Sequence, residues 1–357
     1  MRSTIKNISS YNILRLLLIP VSLLFIIIIY LRNFCYRAGI FKSIKLNIPI
    51  ISIGNITTGG TGKTPLLIYL AEYFLKKGIP VGIVSRGYLR KSKNSQLICN
   101  GSEIFTNQED SGDEVFMVAS FLKSKYSDFS IAVSNDRIEG INLLINNGNP
   151  EIIILDDAFQ NLKTYRNLDI VLIDIKNNKL FRNKLLLPAG NLRETSNSLK
   201  RCDVIILNYK FFDDTNFEKD KLSFEKLKKP VIAMKYKINP DYENNLNLFK
   251  LSGGQAILFC GIAEPDSFIN FVINSGINIK KFFIYPDHYA YKNSDFMKME
   301  KYLNNNDFFL TTEKDYVKVI QFKEFCNNNK IYSIKIDVDI TGNKDTFEKK
   351  LNFDVID

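Results

Sequence analysis

The sequence predicts an α/β fold with a parallel sheet, and the spacing of short apolar runs carries that prediction. Runs of four or five largely apolar residues occur at Pro49–Ile53, Val81–Val84, Ile152–Leu155 and Ile170–Ile173, with segments of helix length between them. Each run is followed by glycine or by a polar residue, as strands are when helices cover both faces of a parallel sheet. We expect the chemistry at the carboxyl edge of this sheet.

The composition is that of an ordinary globular protein with an uneven charge distribution. The 357 residues include 48 Lys and Arg against 38 Asp and Glu, for a net charge of +10. Seven bases and no acid lie in the first 50 positions, so the rest of the chain carries only +3. A nucleic-acid partner is therefore not expected. Five scattered cysteines without a CxxC pair favour reduced thiols over a disulfide framework or a zinc site.

The uncharged apolar run Leu16–Leu31 predicts an N-terminal membrane anchor. As a helix it would be about 24 Å long, a little less than the roughly 30 Å hydrocarbon core. Because every face of the run is apolar, deep insertion or a crossing with local thinning fits better than a helix lying flat. The seven bases would attract an anionic membrane surface. A cleaved signal peptide and a buried core helix are the alternatives.

A glycine-rich loop follows the first predicted strand and precedes a helical pattern at Leu66–Lys77. This arrangement presents backbone N–H groups and a helix N-terminus to a polyphosphate, with Lys63 on the β- and γ-phosphates and the Thr64 hydroxyl on Mg²⁺. The strict GxxxxGK[ST] pattern has glycine at position 57, so a chance glycine turn is the alternative. The predicted nucleotide-binding residues are Thr57, Thr58, Gly59, Gly60, Thr61, Gly62, Lys63 and Thr64.

Two aspartates follow the third predicted strand. Asp156 stands where P-loop enzymes have the acid that orients Mg²⁺, and Asp157 would share that task or hold a water. A solvated loop or a helix cap is the alternative for this pair. We therefore predict a metal site of Thr64, Asp156 and Asp157, with ATP as the nucleotide and Mg²⁺ as the cofactor.

Eight short blocks are more specific together than the glycine-rich loop alone. They are GGTGKTP at 59–65, SRGY at 85–88, GDE at 112–114, DDAFQN at 156–161, LLPAGNLRE at 186–194, FCGIAEPDSF at 259–268, YPDHY at 285–289 and TTEKD at 311–315. In this order the set resembles the tetraacyldisaccharide 4′-kinases, the lipid A kinases of Gram-negative inner membranes. The resemblance implies transfer of the ATP γ-phosphate to the 4′-hydroxyl of an acylated glucosamine disaccharide 1-phosphate lipid, giving lipid IVA, at the cytoplasmic side of a bacterial inner membrane.

The resemblance also assigns roles to single residues. It implies that Asp113 is the base on the 4′-hydroxyl and that His288, the only histidine, tunes or deprotonates Asp113. Lys63 joins them as a catalytic residue. Asp113 and His288 lie on opposite sides of the predicted domain boundary, so domain closure would assemble the dyad. A helix N-terminus at Asp113 and a structural role for a lone histidine are the alternatives.

Three further residues in these blocks are candidates for contacts with substrate or phosphate: Arg86, Gln160 and Arg193. A guanidinium fork matches phosphate and carboxylate, although surface ion pairs would also use these arginines. The chain departs from the family at Ala158 and Asn161, where the family commonly has glycine and histidine. Asparagine does not titrate, so a proton-transfer role at position 161 is excluded.

The predicted organisation is a membrane anchor (1–38), a P-loop kinase domain (39–240), a polar linker (241–250) and a smaller C-terminal α/β domain (251–357). The TTEKD block also permits a plain surface interpretation. The alternative function is a membrane-tethered P-loop GTPase or ATPase that acts as a switch or chaperone. Neither Asn208–Phe211 nor Thr312–Asp315 has the Asn-Lys-x-Asp spacing that recognises guanine, which weakens this alternative.

Overall fold

The computed structural model describes residues 2–175, 185–211, 216–238 and 254–352, and its larger sheet has nine strands. In spatial order these are β13, β8, β7, β6, β1, β5, β2, β4 and β3; the two edge strands, β3 and β13, are antiparallel to their neighbours and the other strands are parallel. The four strands predicted from the apolar runs are confirmed. The strands are β1 Ile50–Gly54, β2 Val81–Ser85, β3 Gln96–Cys99, β4 Phe129–Val133, β5 Ile152–Leu155, β6 Leu168–Asp174, β7 Val204–Lys210, β8 Val231–Ile238 and β13 Ile336–Gly342.

Helices cover both faces of this sheet because successive strand residues point to opposite sides. In β1, Ile51 and Ile53 pack beneath α2 and α4, whereas Ile50 packs with the core that α5 covers. The described helices are α1 Arg2–Arg37, α2 Lys63–Leu75, α3 Gln108–Ser111, α4 Asp113–Lys123, α5 Arg137–Gly148, α6 Phe217–Leu222, α7 Pro265–Asn274, α8 Asn293–Glu300, α9 Glu313–Val319, α10 Lys323–Asn328 and α11 Lys344–Leu351.

A second, four-stranded parallel sheet forms the smaller unit, and its strands were largely predictable from the alternating pattern of the C-terminal half. Its strands are β9 Ala256–Cys260, β10 Ile279–Ile284, β11 Phe308–Thr312 and β12 Ile331–Ile334, in the spatial order β10, β9, β11, β12. The core on one side includes Phe268 and Val272 of α7. Phe296 of α8 and Phe325 of α10 pack in the core on the other side.

The last described elements, β13 and α11, are associated with the large sheet, although they fall in the range 251–357 that we predicted for the smaller domain. Strand β13 pairs antiparallel with β8 of the large sheet, and Phe347 of α11 is fully buried in the large sheet's core. We therefore propose that the smaller domain ends at β12 and that β13 and α11 complete the larger domain. The predicted linker at 241–250 lies outside the described residues.

Helix α1 contains the apolar run Leu16–Leu31 and extends beyond both ends of that run. Its stretch Leu17–Arg37 is long and apolar enough to cross a membrane, and only 11% of that stretch is buried, so a buried core helix does not fit. One face lies on the protein, where Ser22 and Ile29 are buried. The exposed side chains form a broad apolar stripe over the rest of the helix: Leu17, Val21, Leu23, Leu24, Ile27, Ile28, Tyr30, Leu31 and Phe34.

From the placement of α11 we expect Phe347→Ala to destabilise the larger domain. Truncating this buried ring should lower the free energy of unfolding by about 3–5 kcal/mol, because a large cavity forms in the core beside Tyr69 of α2. The loss should appear in the larger domain, as a lower urea midpoint for loss of nucleotide binding in detergent micelles. Phe282→Ala is the matched control, since Phe282 is 53% exposed on the edge strand β10. An equal effect of both substitutions would contradict the assignment of α11 to the larger domain.

Candidate active site

The phosphate-binding loop connects the end of β1 to the start of α2 at the carboxyl edge of the large sheet. Gly59 and Gly62 have φ values of 109° and 94°, a region that side chains rarely adopt. A Cβ at Gly62 would also lie 2.2 Å from the amide nitrogen of Asn208 and 2.2 Å from the Tyr236 hydroxyl. Glycine at position 62 is therefore required both by the backbone and by the neighbouring strands β7 and β8.

Three side-chain amides hold this loop in shape. Asn55 Nδ2 donates to Thr61 Oγ1 at 2.9 Å, and Asn208 Nδ2 donates to the Thr61 carbonyl at 2.8 Å. Gln160 Nε2 donates to the Asn55 carbonyl at 2.8 Å. Gln160, predicted as a contact for substrate or phosphate, thus supports the loop backbone in this structure.

The first residues of the loop are paired with the LLPAGNLRE segment. The Thr58 N–H donates to the Asn191 carbonyl at 2.8 Å, and Thr57 forms an isolated antiparallel bridge with Leu192. The amide of Thr58 is therefore already engaged, whereas Gly59 and Gly60 are exposed at the tip. Thr61 is buried and its N–H donates to the Gly59 carbonyl at 3.0 Å, whereas Gly62, Lys63 and Thr64 lie at the start of α2.

Asp157 lies between two cations at the mouth of the loop. Its carboxylate receives two hydrogen bonds from Arg193 Nη1, at 2.9 and 3.1 Å, and lies 3.6 Å from Lys63 Nζ. Burial would raise the pKa of Asp157, but Lys63 and Arg193 outweigh it and lower the pKa. The structure therefore brings together three predicted residues, with Asp157 paired to cations that match phosphate charge.

The other predicted metal ligands line a small pocket with Glu114. Thr64 Oγ1 donates to Glu114 Oε2 at 2.9 Å, and Ser85 Oγ donates to Asp156 Oδ2 at 2.8 Å. Burial and the charges of Asp157 and Glu114 raise the pKa of Asp156 to about 6. Such crowding of carboxylates is what a bound divalent cation would relieve, and hard oxygen ligands suit Mg²⁺. The residues present therefore fit Mg²⁺.

Within the described part of the chain, no three acidic, histidine or cysteine side chains converge as a complete metal cage. This agrees with the usual binding of Mg²⁺ through one or two carboxylates, waters and substrate phosphates. Sequence analysis gave Glu114 no role, although it quoted the GDE block that contains it. The contact between Thr64 and Glu114 spans 50 residues of sequence, which is why the spacing of local motifs did not reveal it.

Asp113 and His288 meet at the cleft between the two sheets. His288 Nδ1 lies 3.5 Å from Asp113 Oδ2, Lys318 Nζ lies 3.0 Å from the same oxygen, and Gln108 Nε2 donates to Oδ1 at 2.8 Å. Burial would raise the pKa of Asp113, but its neighbours His288, Gln108 and Lys318 together hold the pKa well below its ordinary value. Asp113 is the first residue of α4 and Gly112 is its N-cap, so Asp113 does not cap the helix.

Lys314 of the TTEKD block connects the two halves of this cleft. Its Nζ lies 3.1 Å from Glu114 Oε1, 3.1 Å from Asp287 Oδ1 and 3.3 Å from His288 Nε2. Burial would lower the pKa of Lys314, but Glu114 and Asp287 raise it. The TTEKD block is therefore part of the cleft, and the surface interpretation of the block does not hold for Lys314.

Two further arginines follow strands of the large sheet. Arg86, predicted as a candidate for contacts with substrate or phosphate, is exposed just after β2. Arg137, which sequence analysis missed, is buried and donates to the backbone carbonyls of Ser134 at 2.7 Å and Asp156 at 2.9 Å. Arg137 therefore fixes the backbone from which Asp156 projects.

A buried lysine joins the large sheet to the smaller unit on the far side of the loop. Lys210 Nζ lies 2.8 Å from Asp174 Oδ2 and also pairs with Glu264, which precedes α7. Its backbone N–H donates to Asn208 Oδ1 at 2.9 Å, so the same corner holds the phosphate-binding loop. Sequence analysis examined Asn208–Phe211 only for guanine recognition and missed this structural role.

A family model and two enzymes that share one description match this chain. A family model described as "Tetraacyldisaccharide-1-P 4'-kinase" matches residues 14–355. The tetraacyldisaccharide 4′-kinase of Aquifex aeolicus (strain VF5) is 36% identical over 319 residues, covering 89% of this chain and 94% of that protein. The enzyme of the same name from Ruthia magnifica is 34% identical over 346 residues, covering 97% and 99% respectively.

A solved structure has the same fold along nearly the whole chain. It is the crystal structure of an "apo" form of LpxK from Aquifex aeolicus in complex with ATP, with a TM-score of 0.74 and 32% sequence identity. The match covers 96% of this chain and 99% of that one.

Because the carboxylates around Asp156 are crowded, we expect Asp156→Asn to change the free energy of unfolding in a pH-dependent way. Because the pKa of Asp156 is raised above its ordinary value of 3.8 to about 6, the folded protein keeps a proton that the unfolded chain has released. The free energy of unfolding therefore falls as pH rises from about 4 to about 6 and stays lower above that range. In metal-free buffer at pH 7.5, Asp156→Asn should raise the free energy of unfolding by about 1 kcal/mol.

Denaturant unfolding at pH 7.5 and pH 4 measures this effect. The gain should vanish at pH 4, where the acid is protonated in the folded wild type. Asp128→Asn is the control, because Asp128 is an exposed aspartate. A gain of the same size at both pH values would show that charge crowding at Asp156 is not its cause.

Proposed function

The chain belongs to the tetraacyldisaccharide-1-P 4'-kinase family, and we propose that its cleft transfers the γ-phosphate of ATP to the 4′-hydroxyl of a tetraacylated glucosamine disaccharide 1-phosphate, giving lipid IVA. That it is a kinase of lipid A biosynthesis follows from the family, and the resemblance drawn from the eight sequence blocks is confirmed. The observation that carries the residue-level proposal is the approach of Asp113 to His288 beside the phosphate-binding loop.

The loop from Gly59 to Thr64 supplies the nucleotide site in this proposal. Its exposed glycines and the start of α2 offer N–H groups to the β- and γ-phosphates, and Lys63 and Arg193 supply positive charge. Thr64, Glu114 and Asp156 would hold Mg²⁺, which neutralises phosphate charge when bound. Asp157 then orients Lys63 and Arg193, in place of the ligand role that we predicted for it.

Asp113 and His288 act on the acceptor hydroxyl. A sugar hydroxyl is a poor nucleophile near neutral pH, so a carboxylate must orient it and take part in removing its proton. The low pKa of Asp113 keeps this carboxylate ionised, and an ionised carboxylate accepts a hydrogen bond from the hydroxyl. His288, 3.5 Å away, is the group to which the proton passes.

Helix α1 is the membrane attachment in this proposal. Its exposed stripe from Leu17 to Leu31 faces lipid, while Ser22 and Ile29 stay on the protein. The protein body contacts one side of the helix at Ser22 and at Asn33, which supports insertion from one side rather than a crossing. The acceptor's acyl chains stay in the bilayer, so we place the cleft at the cytoplasmic face of a bacterial inner membrane.

The switch or chaperone alternative is not favoured, and a single assay separates it from the kinase. The wild-type protein in mixed micelles should convert radiolabelled ATP and the tetraacyldisaccharide 1-phosphate into a lipid with a second phosphate. The assay follows the product by thin-layer chromatography and mass. GTP turnover without a lipid product would support the alternative and overturn the proposal.

Replacing Asp113 should affect turnover far more than nucleotide binding. For Asp113→Asn we expect kcat to fall at least about 100-fold with little change in KM for ATP, because the carboxylate acts on the acceptor hydroxyl. The kcat of His288→Asn should fall by a comparable factor. The kcat of the double variant should fall little further, since the two residues act as a unit. Steady-state kinetics in mixed micelles measure all three variants.

Glu109→Gln is the matched control for this series. It removes a carboxylate from the neighbouring helix α3, where Glu109 is exposed and pairs with Lys91. Its kcat should stay within about twofold of wild type. If Asp113→Asn turned over as fast as Glu109→Gln, Asp113 would have no part in the reaction.

A further inference from the structure

Glu194 is a fully buried acid whose partners come from two different parts of the molecule. Its exposed fraction is 0%, and its two carboxylate oxygens lie 2.9 Å from Arg32 Nη2 and 2.8 Å from Arg201 Nη1. A buried charge is costly unless it is paired and hydrogen-bonded, and removing one partner leaves that cost uncompensated. The position of Glu194 is therefore tied to both arginines.

One of the two partners belongs to the membrane-attached helix. Arg32 lies in α1, and its neighbour Asn33 also donates to Glu194, at 3.4 Å. A second contact lies three turns earlier in α1, where Ser22 Oγ donates to the Leu186 carbonyl at 3.0 Å and accepts from the Ala189 N–H at 2.9 Å. Both contacts place α1 on the same LLPAGNLRE segment.

The same segment lies against the phosphate-binding loop. The Arg193 N–H donates to the Ile56 carbonyl at 2.8 Å, and the Asn191 carbonyl accepts from Thr58 at 2.8 Å. The side chain of Arg193 binds Asp157, which lies 3.6 Å from Lys63. Consecutive residues thus have different partners, because Arg193 contacts the catalytic cleft and Glu194 contacts the membrane helix.

Arg201 adds a second connection from Glu194 to the cleft. Its guanidinium lies 4.4 Å from the ring centroid of Phe159, over the loop that carries Asp156 and Asp157. The Phe159 backbone in turn packs on Gly54, where a Cβ would lie 2.8 Å from the Phe159 nitrogen. Contacts thus connect Glu194 to both sides of the phosphate-binding loop.

We propose that Glu194 is a positioning residue that couples the seat of α1 on the protein to the geometry of Arg193, Asp157 and Lys63. This inference rests on the proposed function, since it concerns the same phosphate-transfer site. When α1 is seated with its apolar stripe in lipid, Arg32 holds Glu194, and the adjacent Arg193 is held on Asp157. Turnover is then linked to how the helix sits, and not only to whether the protein is on the membrane.

Arg32→Ala tests this coupling, and Arg37→Ala is its matched control. Both substitutions remove one positive charge from α1, but Arg37 is exposed at the end of the helix, five residues beyond the contact with Glu194. Both variants should bind vesicles of phosphatidylethanolamine and phosphatidylglycerol equally well, measured by co-sedimentation. In vesicles that carry the tetraacyldisaccharide 1-phosphate, Arg32→Ala should lose about 10-fold in kcat while Arg37→Ala keeps the wild-type value.

The split between kcat and KM separates positioning from membrane attachment. A weaker hold on lipid would raise the apparent KM for the acceptor, whereas a displaced Arg193 lowers kcat. Arg32→Lys keeps the charge but not the guanidinium fork, so it should recover part of the lost kcat. This variant also serves if Arg32→Ala does not fold, as judged by its thermal unfolding.

Double variants show whether Arg32 and Glu194 act through one contact. Glu194→Gln should lower kcat by a factor similar to that of Arg32→Ala, and the double variant should lose no more than the worse single variant. Effects of Arg32 and Glu194 that multiply independently would overturn the coupling. So would equal kcat values for Arg32→Ala and Arg37→Ala.

The design distinguishes failure of this inference from failure of the proposed function. If the wild-type protein forms no phosphorylated lipid in the vesicles, the proposed function is wrong and the inference falls with it. If the wild type is active and Arg32→Ala matches Arg37→Ala, only the coupling through Glu194 is wrong.

Discussion

The site depends on one constraint. Cations from the smaller unit neutralise acids at the carboxyl edge of the large sheet. Helix α4 begins with two consecutive carboxylates, Asp113 and Glu114, close to Asp156. Lys318 and Lys314 of α9 approach these two acids at 3.0 and 3.1 Å. Like charges in a partly buried cleft repel strongly, so the cleft keeps its shape only when α9 lies against α4. The contact between α9 and α4 therefore joins the two units and also forms the site.

This arrangement also bears on the role that we propose for Asp113. An acid whose pKa is held low is a weak acceptor of a full proton, but it is a reliable acceptor of a hydrogen bond. Phosphoryl transfer through a loose transition state needs little deprotonation of the nucleophile before the phosphate arrives. Orientation of the hydroxyl by Asp113, with His288 beside it for the proton, suits that chemistry better than a strong base would.

The sequence predicted the parts of the molecule that depend on local patterns, and it missed those that depend on distant contacts. Strand β5 follows from a continuous apolar run and the loop before Lys63 from glycine spacing, and the structure has both where predicted. Asp113 and His288 were paired by family resemblance alone, because 175 positions separate them in the chain. Composition and periodicity do not reveal contacts between residues that are so far apart in the chain.

The missed residues have the same explanation. Lys314 reaches Glu114 across 200 positions, and no local signal distinguishes it from a surface lysine. The range 251–357 predicted for the smaller domain contains β13, yet this strand pairs with β8 in the large sheet. Its position in the chain does not reveal this pairing, which the otherwise unpaired edge of β8 and the apolar side chains of β13 favour.

Helix α1 shows how burial changes the meaning of an apolar sequence. A run that is apolar on every face predicts deep insertion, since a helix at an interface needs a polar side. In the structure the protein body takes that side: Ser22 and Arg32 make polar contacts with it, and Ile29 is buried against it. The exposed apolar stripe remains for lipid. In the membrane attachment that we propose, such a helix inserts into one leaflet, with its flanking bases at the level of anionic headgroups. The sugar hydroxyl of the proposed lipid acceptor would lie at that same level, where a cleft supported by α1 meets it.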